Sequence, residues 1–232
     1  MRLAKWSKGK FKKLGGNGEK GMPIDQARYT VIDTELTGLD MKKDSIVSIG
    51  AVKMVGSRIE LKDSFYKLVS PEAELTGETV IIHGIMPSEL DKEPGIDTVL
   101  PEFIDFCGND IIAGFRPLID MGFLNREAKR LYRSAMKNPV IDIFAIYKWI
   151  KWRSAEDCLS NLSLYDLAED FSIPVKGAHN AIFDAFITAQ ILQRLLHLLL
   201  GLGAKSVDEL LAIGNPSRGG DKFRSSALIN NL

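Results

Sequence analysis

Cysteine is nearly absent from this chain. Its 232 residues include two, Cys107 and Cys158, far apart and in no Cys-x-x-Cys arrangement. That leaves no basis for a disulfide framework or a thiolate zinc site, and a reducing cytoplasm is the default expectation. Net charge is also missing: 30 basic residues balance 30 acidic ones, so the whole-chain charge points to no partner. The longest apolar run, Leu195 to Ala204, is interrupted by His197 and two glycines. It falls well short of the ~20 residues a membrane span needs. The basic start is not followed by an apolar stretch, which argues against a secretory signal. With 45% hydrophobic residues, the chain is long enough for one large domain with a sizeable core, plus an appendage.

The charge that is present is unevenly spread. Residues 1–20 hold seven basic residues, Arg2, Lys5, Lys8, Lys10, Lys12, Lys13 and Lys20, and one acid, Glu19, so the remainder carries a net −6. An acidic body repels a polyanion unless cations sit in its site. Residues 1–26 are rich in Gly and Lys and read as a basic flexible arm. A short amphipathic helix through Trp6, Phe11 and Leu14 is the alternative. The arm has three readings: a solvated tail, a tether for nucleic acid, or a docking segment for a partner or neighbouring subunit.

After the arm, the pattern alternates. Arg28 to Asp33 is an apolar, β-branched run and predicts a buried strand. Ser45–Val55 and Arg58–Val69 predict two more strands, joined as a hairpin near Gly56. Thr98–Cys107 has helical spacing. Asp110–Gly114 and Val140–Ile143 predict further strands, each leading into a helix. Ser163 is the expected N-cap of a helix stopped by Pro174. His179–Leu200 predicts a long core-packing helix, and Lys205–Ile213 a last one. Together these elements give an α/β fold, a mixed sheet with helices on its faces. The expected divisions are an arm over 1–26, the main domain over 27–202, and a C-terminal helix and tail over 203–232.

Five residues carry the chemistry. Asp33 and Glu35 lie two apart on a predicted strand, so both side chains leave by one face. Two acids closing an apolar strand before Thr37-Gly38 point to a bound ligand; a solvated strand end is the plain alternative. Carboxylates are hard ligands suited to Mg²⁺ or Mn²⁺. Two such ions ~3.5–4 Å apart can activate a water and stabilise a phosphodiester's leaving oxygen. Asp120 opens a helix, where an acid also serves the helix dipole. His179 and Asp184 are five apart and diverge unless the helix starts between them, with His179 or Asn180 in the loop before it. His179 reads as a general base or as a structural histidine.

These residues and their order resemble the DEDD exonucleases of the histidine subclass, the family of the proofreading subunit of bacterial replicative polymerase. The first motif of that family resembles Asp33-Thr-Glu35-Leu-Thr37-Gly38-Leu39. The second resembles Asp120-Met-Gly-Phe123-Leu124, and the third resembles His179 followed by Asp184-Ala185. His83-Gly84-Ile85 and the stretch Leu162–Leu167 with Ile173-Pro174 are similar as well. The likeness runs from about Arg28 to Leu200. It implies a ribonuclease H-like fold with a central five-stranded mixed sheet, and a metal-dependent 3′→5′ exonuclease that releases nucleoside 5′-monophosphates. It implies Asp33, Glu35, Asp120 and Asp184 as ligands of two Mg²⁺ or Mn²⁺ ions, with His179 as the base. It implies that Leu36, Thr37, Gly38, Leu39 and His83 hold the terminal nucleotide of a single-stranded or frayed 3′ end, DNA being favoured. A DNA polymerase or another replication or repair protein is the protein partner that such a resemblance suggests.

The chain departs from the family at Phe115-Arg116, where members carry His-Asn or Tyr-Asn. The departure bears on substrate geometry and leaves the carboxylates intact. Arg116 reads either as a phosphate contact or as a solvated loop residue. Two other functions stand beside the main reading. One is an exoribonuclease acting on short RNA or RNA tails. The other is a binding module that kept the fold and lost turnover, against which the complete set of five residues argues.

Overall fold

The computed structural model of the protein describes residues 21–152 and 162–218. The arm's residues 1–20 with Trp6 and Phe11, Cys158, and the tail from 219 lie outside the described residues.

Five strands form one sheet in the order β3-β2-β1-β4-β5. β1 (Arg28–Leu36), β2 (Ile46–Val55) and β3 (Arg58–Leu68) pair antiparallel through the expected hairpin. β4 (Ile111–Gly114) and β5 (Val140–Asp142) add on the other side of β1 in parallel. The chain therefore changes sides at β1, and the carboxyl end of β1 is where a ligand crevice opens in such a sheet. Asp33 and Glu35 sit at that end.

Alternation along β1 distributes its side chains between two layers. Tyr29 and Val31 face a core formed with α5 (Ile143–Trp152), α6 (Leu164–Asp170), α7 (Ala181–Gly201) and α8 (Val207–Ile213). Ile32 faces a second core formed with α3 (Ile96–Cys107) and α4 (Leu118–Tyr132). By the same period of two, Asp33 and Glu35 belong to the α7 face and Thr34 to the α4 face. Two short helices, α1 (Gly77–His83) and α2 (Pro87–Leu90), fill a connection that sequence periodicity left blank.

Segments on both sides of the main domain pack onto it. Residues 21–26 belong to the folded body: Ile24 is fully buried, its N–H donates to the Lys205 carbonyl, and its own carbonyl accepts from the Tyr29 hydroxyl. At the other end α8 buries Leu210 and Ile213 in the same core, and the Asp142 N–H donates to the Gly214 carbonyl. The apolar run at Leu195 lies in the long helix expected there. α7 has 21 residues and is long and apolar enough to cross a membrane by length and composition. Here it is the core helix, with Ile187, Ile191, Leu192, Leu195 and Leu199 buried against the sheet.

One glycine seats that helix. Gly50 on β2 pairs with Asp33 in register, and a Cβ at this position would overlap the backbone of Ala181 and Ile182. A glycine inside a strand marks such a close approach. Since the obstacle is backbone, it cannot swing aside. Gly50→Ala should therefore cost about 1–3 kcal/mol and shift the start of α7. A lowered urea midpoint together with weakened divalent-cation binding is the expected result. A wild-type midpoint would show that the α7 N-terminus has slack.

Candidate active site

The first turn of α7 delivers Asp184 to the acids of β1. Asn180 caps the helix, its side-chain oxygen accepting from the Ile182 N–H at 3.3 Å, and the Asp184 N–H donates to the Asn180 carbonyl at 2.9 Å. Asp33, Glu35 and Asp184 each offer a carboxylate oxygen, and these atoms all lie within 4.8 Å of one another. His179 lies in the loop just before α7, so the helix begins between it and Asp184. Its backbone is left-handed, with φ 60°, an uncommon state for a non-glycine residue that functional sites can hold in place. Its own N–H holds it there, shared between the Tyr165 hydroxyl at 2.8 Å and Asp184 Oδ2 at 3.0 Å.

Asp120 is not in the group of three. It stands in the first turn of α4, on the other side of the sheet, and its Oδ1 accepts from the Thr34 hydroxyl at 2.6 Å and the Thr34 N–H at 3.0 Å. Thr34 lies between the two acids, so Asp120 is tied to the residue that separates them. The two sites still feel each other: Asp120 is the largest of the neighbouring charges that raise Asp33. The turn that carries Asp120 is held by Asp142, a buried carboxylate whose Oδ1 accepts from the N–H groups of Arg116 and Phe144 at 3.0 and 2.9 Å. Arg116 is engaged within the fold. Its guanidinium lies over the Phe144 ring at 4.5 Å and donates to the Leu162 carbonyl.

Of the expected nucleotide-holding residues, Leu36 to Leu39 follow Glu35 directly at the end of β1 and His83 closes α1. Thr37 is buried, its hydroxyl donating to Asp44 Oδ1 at 3.1 Å and accepting from the Ser45 N–H. Gly38 packs against the Asp44 carboxylate. Leu36 is half-buried, whereas Leu39 is 72% exposed at the tip of the loop. Arg126 of α4 straps this loop by donating to the carbonyls of Met41 and Asp44, both at 2.8 Å. His83 is buried at the end of α1. Its Nδ1 accepts from the Ile85 N–H at 3.1 Å, and its Nε2 has no partner. Burial lowers its pKa.

Two tyrosines near the acids escaped the sequence reading. The Tyr165 hydroxyl donates to Asp184 Oδ2 at 2.9 Å. Burial pushes its phenol up, so it stays protonated and able to donate. The Tyr66 hydroxyl accepts from Asn180 Nδ2 at 3.3 Å and lies near Glu35. Tyr66 belongs to no motif, and Tyr165 lies in the Leu162–Leu167 stretch whose likeness to the family assigned it no role.

The electrostatics are those of a site lacking positive charge. Burial, followed by the charges of Asp120, Glu35 and Asp184, raises Asp33 well above the usual carboxylate range. Burial and then Asp184 push Glu35 up to about 8. Burial raises Asp120 and Asp184 too, against their hydrogen bonds. Among the described residues no Lys or Arg forms an ion pair with any of the four. Asp184 Oδ1 is buried without a partner, an arrangement that is costly unless something absent here meets it. A divalent cation among these oxygens fits: it pairs with hard donors and cancels the repulsion.

The sequence itself matches known proteins in the same region. A model of the exonuclease family (RNase_T) matches residues 30–192. The chain belongs to this exonuclease family. The DNA polymerase III subunit epsilon of Aquifex aeolicus is 32% identical over 168 residues, covering 72% of this chain and 80% of that protein. The PolC-type DNA polymerase III of Thermotoga petrophila is 32% identical over 188 residues, 81% of this chain. This chain spans only 13% of that relative's length. Among solved structures, exonuclease X in complex with 5′ overhanging duplex DNA superposes with a TM-score of 0.60 at 20% identity. It covers 80% of this chain and 99% of that one. The five-stranded mixed sheet with flanking helices is thus the ribonuclease H-like exonuclease fold, and divalent-metal dependence goes with the family.

The shifts predict a pH dependence in cation-free protein. Each carboxylate is raised in the folded state, so folding holds protons that the unfolded chain releases. That contribution is fully present below the ordinary carboxylate pKa of ~4 and is lost as pH rises through the folded values, to about 8 for Glu35. With EDTA, Tm should fall between pH 5 and 8 by at least about 5 °C. Millimolar Mn²⁺ should restore most of the loss, and most strongly at pH 8. A Tm insensitive to Mn²⁺ at pH 8 would exclude the cluster as a cation site.

Proposed function

We propose that this protein is a divalent-metal-dependent 3′→5′ exonuclease that releases nucleoside 5′-monophosphates from single-stranded or frayed nucleic acid, preferably DNA. The observation that carries the reading is the group Asp33, Glu35 and Asp184 closing on an unpartnered buried oxygen. Exposed His179 stands beside it. Asp33, Glu35 and Asp184 would hold one cation, with Asp120 completing the ligands for a second. Mg²⁺ or Mn²⁺ suits an all-carboxylate set. When bound, such ions lower the pKa of a water and neutralise charge developing on a phosphodiester.

The protein's own groups do the rest. The His179 ring nitrogens carry no hydrogen bond among the described residues, so the imidazole is available to take a proton from the attacking water. Leu36, Thr37, Gly38 and Leu39, with His83, would hold the terminal nucleotide. Exposed Leu39 and Ile82 offer apolar surface on which a base can stack. The relation to the epsilon subunit supports a DNA polymerase as partner. It also supports action in the cytoplasm, where Cys107 can persist as a buried free thiol.

A degradation panel tests this reading. Single-stranded DNA, duplex DNA, mismatched primer ends and RNA are each incubated with Mg²⁺, Mn²⁺ or EDTA. Metal-dependent shortening from the 3′ end, with 5′-monophosphates as product and single-stranded DNA fastest, is expected. Faster loss of RNA would reassign the substrate. No shortening of any substrate, with no hydrolysis of a thymidine 5′-monophosphate aryl ester, would end the enzymatic reading.

A further inference from the structure

Asp184 uses its two oxygens differently. Oδ2 accepts from the Tyr165 hydroxyl at 2.9 Å and from the His179 N–H at 3.0 Å. Oδ1 is buried and accepts from nothing among the described residues. The asymmetry originates on α6. There Ser163 and Asp166 form a reciprocal capping box, with the Ser163 hydroxyl facing the Asp166 N–H and the Asp166 carboxylate facing the Ser163 N–H. Leu164, Leu167 and Ala168 anchor the helix in the core. Tyr165 is thereby fixed in the first turn of a well-capped helix and reaches across to the loop before α7.

The hydroxyl serves in both directions. It donates to Asp184 and accepts from the His179 N–H at 2.8 Å. The ring adds a third contact: its centroid lies 5.2 Å from that of the His179 imidazole, with the planes at 86°. One side chain therefore touches both members of the third motif, neither of which it adjoins in sequence.

We propose that Tyr165 is a positioning residue that clamps Asp184 Oδ2 and the His179 peptide, so that Asp184 Oδ1 is presented to the cation and the imidazole is held beside it. The inference rests on the reading of Asp184 as a cation ligand and His179 as the base. Without the hydroxyl, Asp184 Oδ2 keeps only the His179 N–H to fix its rotation, and the left-handed His179 loses one of two acceptors. Without the ring, the imidazole loses the edge that confines it.

The test compares full-length wild type, Tyr165→Phe and Tyr165→Leu by two readouts: Mn²⁺ binding by calorimetry, and hydrolysis of the thymidine 5′-monophosphate aryl ester. Tyr165→Phe should bind Mn²⁺ roughly 10–100-fold more weakly, the equivalent of one hydrogen bond to a charged group. At saturating Mn²⁺ its kcat should remain about tenfold low, with KM for the ester within about twofold. Tyr165→Leu should lower kcat further without weakening Mn²⁺ binding much beyond Tyr165→Phe. A Tyr165→Phe protein with wild-type Mn²⁺ affinity and kcat would overturn the clamp. So would one whose Tm alone has fallen. If wild type binds Mn²⁺ but cleaves no ester, the exonuclease reading fails, and the calorimetric difference still decides the clamp. Should Tyr165→Phe fail to fold, 3-fluorotyrosine at position 165 keeps the hydroxyl. Its fluorine resonance should move on Mg²⁺ addition, and a stationary resonance would count against the proposal.

Discussion

An Asp33→Ala protein should be at least as stable as wild type in EDTA, and it should hydrolyse nothing. Both halves follow from the same geometry. Among the described residues no hydrogen bond engages the Asp33 carboxylate, yet burial and three neighbouring acids oppose its ionisation. Removing it deletes the charge that repels the others and leaves no donor unsatisfied. Cation-free Tm at pH 8 should therefore rise. The cost appears when cation is added: the stabilisation by Mn²⁺ should largely vanish, and turnover should fall at least about 10³-fold. That factor corresponds to the several kcal/mol of charge stabilisation a bound metal supplies. Near wild-type hydrolysis by Asp33→Ala at saturating Mn²⁺ would end the assignment of these carboxylates. Asp184→Ala should be as inactive but less informative, because it also strips Tyr165 and His179 of an acceptor.

The acids of β1 were legible in the sequence because their geometry is local. A strand's period of two puts Asp33 and Glu35 on one face without reference to the rest of the chain. The start of α7 was legible in part: the spacing of His179 and Asp184 required a helix to begin between them, and Asn180 provides the cap. Asp120 marks where local reasoning stops. Its motif is intact, but the register of β1 and the approach of α4 commit one of its oxygens to Thr34, on the far side of the strand from Asp184. Gly50 was visible as a strand glycine. Which backbone it admits depended on pairing that no single segment encodes. Tyr165 reaches the site from α6, 14 residues before His179 in a stretch whose likeness to the family gave it no role, and Tyr66 from β3, 114 residues before Asn180 and in no motif. Met22 to Gln26 read as arm by composition because Gly21 and Pro23 break the pattern. Ile24 and Met22 anchor this segment, and their partners at Lys205 and Val207 lie towards the opposite end of the chain.

His179→Ala should fold, bind Mn²⁺ close to wild-type affinity, and hydrolyse the aryl ester roughly 10²–10⁴-fold more slowly, the usual effect of losing a general base. The structure separates the two things this residue does. Its backbone N–H supports Asp184 and meets Tyr165, and that group survives substitution. Its exposed imidazole is what alanine removes. The left-handed backbone at this position supplies an internal control, since glycine adopts φ near 60° without a steric penalty. His179→Gly should thus match His179→Ala in rate while folding at least as stably. Added imidazole should restore part of the rate in both, because the vacated place opens to solvent. If either variant instead lost Mn²⁺ affinity and regained its rate at saturating Mn²⁺, His179 would be a cation ligand. The proton would then leave the attacking water by another route, and the unpaired Asp184 Oδ1 would no longer be sufficient reason to place the cation where three carboxylates meet.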